Sequence, residues 1–371
     1  MDYRKLKNVT TASELAKQLR QFISDGDMTD GDRLPSERKL ADNVGLSRMT
    51  VRRAVEHLVD DGIVYRIAGS GTYVGYPDHD LSKTDNATLG LIVPTLANTF
   101  FGEVSDVIEQ EARLKGYQLL VGRSEFDTRN EAQYLEDYAL NPAVRGVLIV
   151  PSTDQTNQSA YKKLRSNKTP FVFVVRPDGV SAEDELNADA VMTNHRLGAR
   201  RVVEHLIEQG HQQIAYIGAE RPRKDNHKIG YLQALREADL EVDDRLIVST
   251  ADNAEEAGII GTGILLERNV PFTAIFARID TTALMVIRQL RSAGLQVPRD
   301  VAVAGFDNTQ VAQYTSPPIT SVDHSLSEIG RLAIWLLLDR LEEHYDGPAR
   351  KVIISPRVVV RASTMSSSGV R

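Results

Sequence analysis

Two hydrophobic rhythms divide the chain. Up to about residue 75, apolar residues recur at helical spacing. "TTASELAKQLRQFISDG" sets Leu15, Leu19, Phe22 and Ile23 on one face, with Ser/Thr caps before it and Gly26 after it. "PSERKLADNVG" predicts a short helix that starts at a Ser36 cap and stops at Gly45, a residue suited to the left-handed turn after a helix. A third helix runs from Ser47 to about Asp61, with Val51, Ala54, Val55 and Leu58 as its buried stripe. "IVYRIAGSGTYVG" then reads as two short strands about a Gly-Ser-Gly turn.

From residue 88 the rhythm changes to short unbroken apolar runs. They are "LGLIV" (89–93), "YQLLV" (117–121), "GVLIV" (146–150), "FVFVV" (171–175), "QIAYIG" (213–218), "AIFA" (274–277) and "VAVAGF" (301–306). Helical patterns such as 102–115, 197–209 and 281–293 separate them. Strands apolar on both faces that alternate with helices predict α/β architecture with doubly wound parallel sheets. Two sets of such units predict two Rossmann-like lobes with a cleft at their strand C-termini. The expected division is 1–75, a polar linker at 76–87, a two-lobed domain at 88–363 and a flexible tail at 364–371. The N-lobe is expected at about 88–188 plus 325–346, and the C-lobe at about 189–323 plus 350–363.

Composition narrows the function. Of 371 residues, 42% are hydrophobic and 26% charged, an ordinary globular balance with no run long enough to span a membrane. Zero cysteines exclude disulfides and thiol catalysis, and the eight histidines show no metal-ligand spacing. No apolar leader precedes the first helix, so a cytoplasmic location is expected. The net charge of −7 is unevenly spread: residues 1–75 hold twelve basic and eleven acidic residues, the remainder 32 and 40. The first 75 residues therefore keep a slight positive excess that the whole-chain charge hides. "GIIGTG" (258–263) lies inside a helical stretch rather than after a strand and carries no dinucleotide-binding reading. No Gly-x-Ser-x-Gly elbow is present, and no cofactor, metal or catalytic set is expected.

Arg48, Arg52 and Arg53 crowd the first two turns of the third helix, where the macrodipole disfavours cations. One reading is plain solvated surface. The other is a helix-turn-helix whose second helix enters the major groove by its N-terminal end, where phosphates offset the conflict. Arginine suits bidentate contact to guanine, and Met49 suits a thymine methyl. The stretch "GDRLPSERKLADNVGLSRMTVRRAVEHLVDDGIVYRIAGSGTYV" (31–74) resembles the GntR-family winged helix through its LPSER, SR-x-TVR and GSGT-Y-V segments. The resemblance implies DNA contacts from Arg38, Arg48, Thr50 and Arg52, with Gly69 of the wing in the minor groove. Ser36 is a phosphate candidate, Ser47 joins the set at the helix start, and Met49 is a candidate for operator preference.

Residues 88–363 are similar to the lac-repressor family sensor, a type I periplasmic-binding-protein-like fold. The matching stretches include "LGLIVPTLANTFFGEVSDVIEQEARLKGYQLLV", "LGARRVVEHLIEQGHQQIAYIG", "VPRDVAVAGFDN" and "PPITSVDHSLSEIGRLA". A GntR reader on this sensor resembles the arabinose-repressor subfamily. The resemblance implies a sugar cleft with Asn98, Phe100 and Phe101 at the first N-lobe helix and Arg176 at a strand end. On the C-lobe it implies Asp280 and Asp307, with His324 where the chain crosses between lobes. His227 stands where the family often has arginine, and Ile279 where it often has asparagine, departures that weaken hydroxyl readout. Asp280 also suits a helix cap, either phenylalanine suits the core, and His227 suits a solvated surface. The expected function is a homodimeric regulator on a pseudo-palindromic duplex operator, most simply a repressor released by a sugar, with L-arabinose the first candidate. The alternatives are a sugar-activated regulator, a sugar-binding receptor that does not bind DNA, or an enzyme on a Rossmann-like fold.

Overall fold

The computed structural model describes residues 9–28, 32–60, 63–67, 71–74, 87–151, 157–175, 188–219, 225–250 and 253–365. Helix α1 (Ala12–Ser24) begins with a capping box, in which Thr11 accepts from the Glu14 amide and Glu14 reaches back. Helix α2 (Glu37–Val44) is capped by Ser36 and ends at Gly45, whose φ of 70° is the left-handed conformation glycine adopts without a Cβ clash. Helix α3 (Arg48–Asp60) follows at once. Strands β1 (Val64–Ile67) and β2 (Gly71–Val74) pair antiparallel as the wing. Leu15, Leu19, Phe22, Leu40, Val51, Val55, Leu58, Val64 and Val74 close one core around these elements.

The sensor opens with β3 (Thr88–Val93), α4 (Thr99–Leu114), β4 (Gln118–Arg123), α5 (Thr128–Leu140), β5 (Val144–Ile149), α6 (Gln158–Ser166) and β6 (Phe171–Val174). Next come β7 (Asp189–Thr193), α7 (His195–Glu208), β8 (Ile214–Ala219), α8 (Asn226–Glu237), β9 (Ile247–Thr250) and α9 (Ala254–Glu267). The rest is β10 (Ala274–Ala277), α10 (Asp280–Ser292), β11 (Ala302–Ala304), α11 (Gln310–Tyr314), β12 (Ser321–Asp323), α12 (Leu326–Leu341), β13 (Lys351–Ile354) and β14 (Arg357–Val359). A six-stranded parallel sheet of order β13-β7-β6-β5-β3-β4 forms the N-lobe. A four-stranded parallel sheet of order β11-β10-β8-β9 forms the C-lobe. Both carry helices on two faces, which explains why β3, β7 and β10 are apolar almost throughout.

The lobe boundaries fall later than the sequence suggests. β7 pairs with β6 and β13, so residues 189–193 and 351–354 belong to the N-lobe sheet rather than the C-lobe. An apolar stretch does not reveal which of two similar sheets it joins. The chain crosses between lobes at Asn194, at His324 and Ser325, and at Ser355 and Pro356. Thr364, expected in a flexible tail, is buried, and its hydroxyl bonds the hydroxyl of Thr320 at 2.7 Å. No helix among the described residues is long and apolar enough to cross a membrane.

Candidate functional site: a basic helix face and an interlobe cleft

The reader's chemistry follows from which side of α3 is spent on the core. Val51, Ala54, Val55 and Leu58 are buried, while Arg48, Met49, Arg52 and Arg53 face outward. Met49 is 62% exposed, unusual for an apolar residue that no core contact explains. Ser47 caps α3: its hydroxyl accepts from the Thr50 amide at 3.1 Å and bonds the Thr50 hydroxyl at 2.8 Å. Thr50 is thereby held at the open N-terminal end. The Arg52 side chain is anchored by Glu56 at 3.3 Å yet remains 54% exposed, so its guanidinium keeps free donors. Arg38 is exposed on α2, and Ser36 bonds the Lys39 amide at 3.3 Å. Gly69 lies outside the described residues. At the base of the wing, a Cβ on Gly71 would meet the Arg33 side chain at 2.7 Å, and Arg33 itself bridges Tyr73. Arg33 is a basic residue of the reader that sequence reasoning passed over.

The second site lies between the lobes, where the interlobe crossings meet. His324 is 1% exposed. Its Nδ1 lies 3.0 Å from the Thr193 hydroxyl, at the end of β7, and its Nε2 lies 3.0 Å from Asp307 Oδ1. One ring therefore ties two crossings to the C-lobe. Asp307 follows β11 with φ of 101°, a left-handed conformation that costs a non-glycine residue about 1–3 kcal/mol. Such strain persists where the surroundings over-determine it, as functional sites commonly do. Phe100 packs on the other side of His324 with ring centroids 5.0 Å apart, and Phe101 touches Phe100 edge-on at 5.4 Å. Phe100 is buried and Phe101 half-buried, so the pair is both wall and core. Asn98 caps α4 by accepting from the Phe100 amide at 2.9 Å, which fixes where these rings stand. Glu103 of α4 accepts from the Gln310 amide of α11 at 3.0 Å, a direct bond between the lobes.

Asp280 is placed differently from a ligand contact. It is 1% exposed and spends both oxygens within the protein: Oδ2 accepts from the Thr309 amide at 2.8 Å and its hydroxyl at 3.2 Å, and Oδ1 accepts from Ser321 at 2.5 Å. Gly305 makes room for it, since a Cβ there would lie 2.5 Å from Oδ1. Asp280 thus braces the loop that carries Asp307, and it stands as the first residue of α10 rather than as its cap. His227 is buried rather than solvated, at 7% exposure. It packs edge-on against Phe306 at 4.5 Å and 5.2 Å from His195, which in turn lies 5.4 Å from His324. Arg176 lies outside the described residues. His195, Phe306, Asp225 and Arg278 complete the cluster and were not singled out in the sequence. The available signal was position, because each sits at or just beyond a β-strand or helix end facing the cleft.

Burial dominates the electrostatics. It pushes Asp280 up to about 8, with the Asp307 charge adding to it. It pushes Asp307 to about 7, against the pull of Arg278 and His195. It holds His324 down at about 4 and His227 at about 3. Unfolded, these groups titrate at about 3.9 for aspartate and about 6.5 for histidine. Above about pH 6.5 the folded sensor still holds aspartic protons that the unfolded chain has released, and it sheds them as pH rises through about 7 and then about 8, so stability falls through that window. From about pH 6.5 down to about 4, the two histidines that protonate on unfolding offset the two aspartic acids, and the four groups leave stability flat. Urea midpoints of the sensor transition at about pH 6, 7 and 8 check this, and a midpoint that rises toward pH 8 contradicts it.

Comparison with known proteins agrees with the geometry. Residues 11–74 match the bacterial regulatory proteins of the gntR family, and residues 203–364 match the periplasmic binding protein-like domain. The chain is 25% identical over 367 residues to the arabinose metabolism transcriptional repressor of Geobacillus stearothermophilus, covering 97% of this chain and 99% of that one. It is 30% identical over 260 residues to catabolite control protein A of Priestia megaterium, covering 69% and 76% of the two. The solved transcriptional regulator CelR–cellobiose complex superposes with a TM-score of 0.65 at 26% identity, over 89% of this chain and 100% of that one.

Proposed function

The chain belongs to the LacI family of transcriptional regulators and carries a gntR-type reader at its N-terminus, and from that premise we propose that it is a sugar-released repressor. The observation that carries the reading is the outward face of α3. Three arginines and a bare methionine are presented at the N-terminal end of a helix whose other side is fully spent on the core. Arg52 is the leading candidate for base readout, Arg48 for a combined base and phosphate contact, and Arg38 and Ser36 for phosphate. Two such readers on a homodimer suit a pseudo-palindromic operator, with half-sites related by the protein's own two-fold axis.

The cleft supplies the control. A sugar held between Phe100 on one lobe and Asp307 on the other favours one arrangement of the lobes. If that arrangement binds operator less well, the sugar releases the DNA. Linkage then requires operator to weaken sugar binding by the same factor. L-arabinose is the first ligand to test, because a relative that aligns over nearly the whole chain is an arabinose metabolism repressor. The cellobiose held by the solved neighbour places disaccharides in the same panel.

Fluorescence anisotropy with duplexes from the DNA upstream of the protein's own operon tests the reading. Wild type is expected to bind one of them at moderate salt. Arg52→Ala is expected to lose about 1–3 kcal/mol and to relax preference at one base position. No duplex binding by wild type sinks the proposal, and an Arg52→Ala variant with unchanged affinity and base preference removes Arg52 from the reader.

A further inference from the structure

Asp307 and Asn308 follow one another in the left-handed region, with φ of 101° and 52°. Asparagine enters that region more readily than most residues, but two such residues in a row persist only where the surroundings over-determine them. The backbone of this turn is tied to β12. The Asp307 amide donates to the Val322 carbonyl and the Asn308 amide to the Ser321 hydroxyl, both at 3.0 Å. Asp280 holds the next amide, that of Thr309, at 2.8 Å. A further tie comes from the C-terminal segment of the chain, where Arg361 Nη2 donates to Asn308 Oδ1 at 2.6 Å.

Arg361 is itself held in place. Its Nη1 donates to the Ile319 carbonyl at 2.8 Å, so the planar guanidinium spans two acceptors at once, which the point charge of a lysine would not do. Its backbone amide donates to the Thr320 hydroxyl at 2.8 Å, and that hydroxyl donates to the Arg361 carbonyl at 3.0 Å. Further along, the Ser363 hydroxyl accepts from the Thr320 amide at 2.8 Å and donates to the Val303 carbonyl of β11 at 2.6 Å. The segment is therefore laced into the scaffold of the C-lobe sheet, and Arg361 extends that scaffold to a side chain of the turn. Its bond to Asn308 has a charged donor, which makes it stronger than a neutral one. Asn308 is joined by one peptide unit to Asp307, whose carboxyl meets His324 at the interlobe crossing. If Asn308 relaxed toward ordinary backbone angles, the Asp307 carboxyl would swing from that place.

We propose that Arg361 is a positioning residue for the effector: from the C-terminal segment it holds Asn308, and through it the left-handed turn that presents Asp307 to the cleft. Effector affinity then depends on a side chain that acts through Asn308 and Asp307 rather than by its own contact. This inference rests on the sugar-binding reading above.

The test is calorimetric titration of the full-length protein with pentoses, hexoses and cellobiose, L-arabinose first, for wild type, Arg361→Met, Asn308→Gly and the double variant. Glycine at position 308 accepts the left-handed backbone and deletes only the side chain that Arg361 holds. Each single variant is expected to weaken binding of the best sugar by about 10-fold, the low end for a bond to a charged group because the backbone ties of the turn remain. The double variant is expected to bind no more weakly than either single one, since both remove the same strut. A residue that only supports the fold would lower the unfolding midpoint without moving the sugar affinity, or with losses that multiply in the double variant. If Arg361→Met does not fold, which the unfolding midpoint without ligand reports, Asn308→Gly decides alone. A folded single variant that binds sugar as wild type does, or losses that multiply, overturns the inference and leaves the sugar reading standing. A wild type that binds none of the panel overturns both.

Discussion

Arg350→Met is expected to destabilise the sensor by about 3–5 kcal/mol, the usual cost of removing one partner from a buried ion pair. Arg350 is buried just before β13 and binds Asp189 Oδ2 through Nη2 at 2.7 Å and through Nε at 3.2 Å. Its Nη1 binds Asp339, its Nη2 also reaches the Leu336 carbonyl at 3.2 Å, and its backbone amide binds Asp189 Oδ1 at 2.7 Å. Arg340 shares Asp189 from α12 at 2.8 Å. Tyr345 lies under both guanidiniums, with centroid distances of 4.1 Å and 4.5 Å. Burial alone would raise the Asp189 carboxyl, but the two arginines hold it below its ordinary value. The methionine would leave Asp189 and Asp339 facing each other with one cation fewer. The network also fastens the start of β7 to the start of β13, so its loss loosens the pairing of these two strands. Urea unfolding measures the effect, and a loss below about 1 kcal/mol would show that water or rearrangement replaces the guanidinium.

Asp307→Ala is expected to leave a protein that occupies its operator and that sugar no longer removes. The substitution deletes the partner of His324 Nε2 and the carboxylate nearest the ring cluster. Loss of a charge-assisted hydrogen bond to a ligand hydroxyl costs about 1.5–3 kcal/mol, or about 10- to 150-fold in affinity. The backbone complicates the reading, because φ of 101° strains alanine as it strains aspartate. Asp307→Gly relieves that strain and removes the same carboxylate, so the two variants separate ligand contact from local folding. If both respond to sugar as wild type does, Asp307 does not read the ligand. Asp280→Ala should behave differently. Its oxygens hold Thr309 and Ser321, so its loss should lower the unfolding midpoint before it alters sugar preference.

Much of this was legible in the sequence, for reasons of local physics. Capping residues and Gly45 marked the reader helices within about a residue, because caps are decided by their immediate neighbours. The apolar runs marked the parallel strands, because a strand covered on both faces has no polar side to interrupt it. What the sequence hid was pairing at a distance. Asp189 and Arg350 are 161 positions apart and meet only because the chain leaves the N-lobe at Asn194 and returns to it at His324 and Ser325. The same crossings decide that β7 joins the N-lobe sheet, a choice its own residues do not express. In the cleft, Asp307 and His324 stood at recognisable strand ends. Arg278 did not stand out, because its meaning comes from Asp225, which reaches it from another strand end.

The most direct test of the account measures the affinity of the effector sugar for the protein alone and for the protein saturated with operator. The account predicts weaker sugar binding on operator, by about 5- to 150-fold, matched by the same factor when operator affinity is measured with and without sugar. Equal sugar affinities in the two states would contradict it, since a ligand that binds both states alike shifts neither.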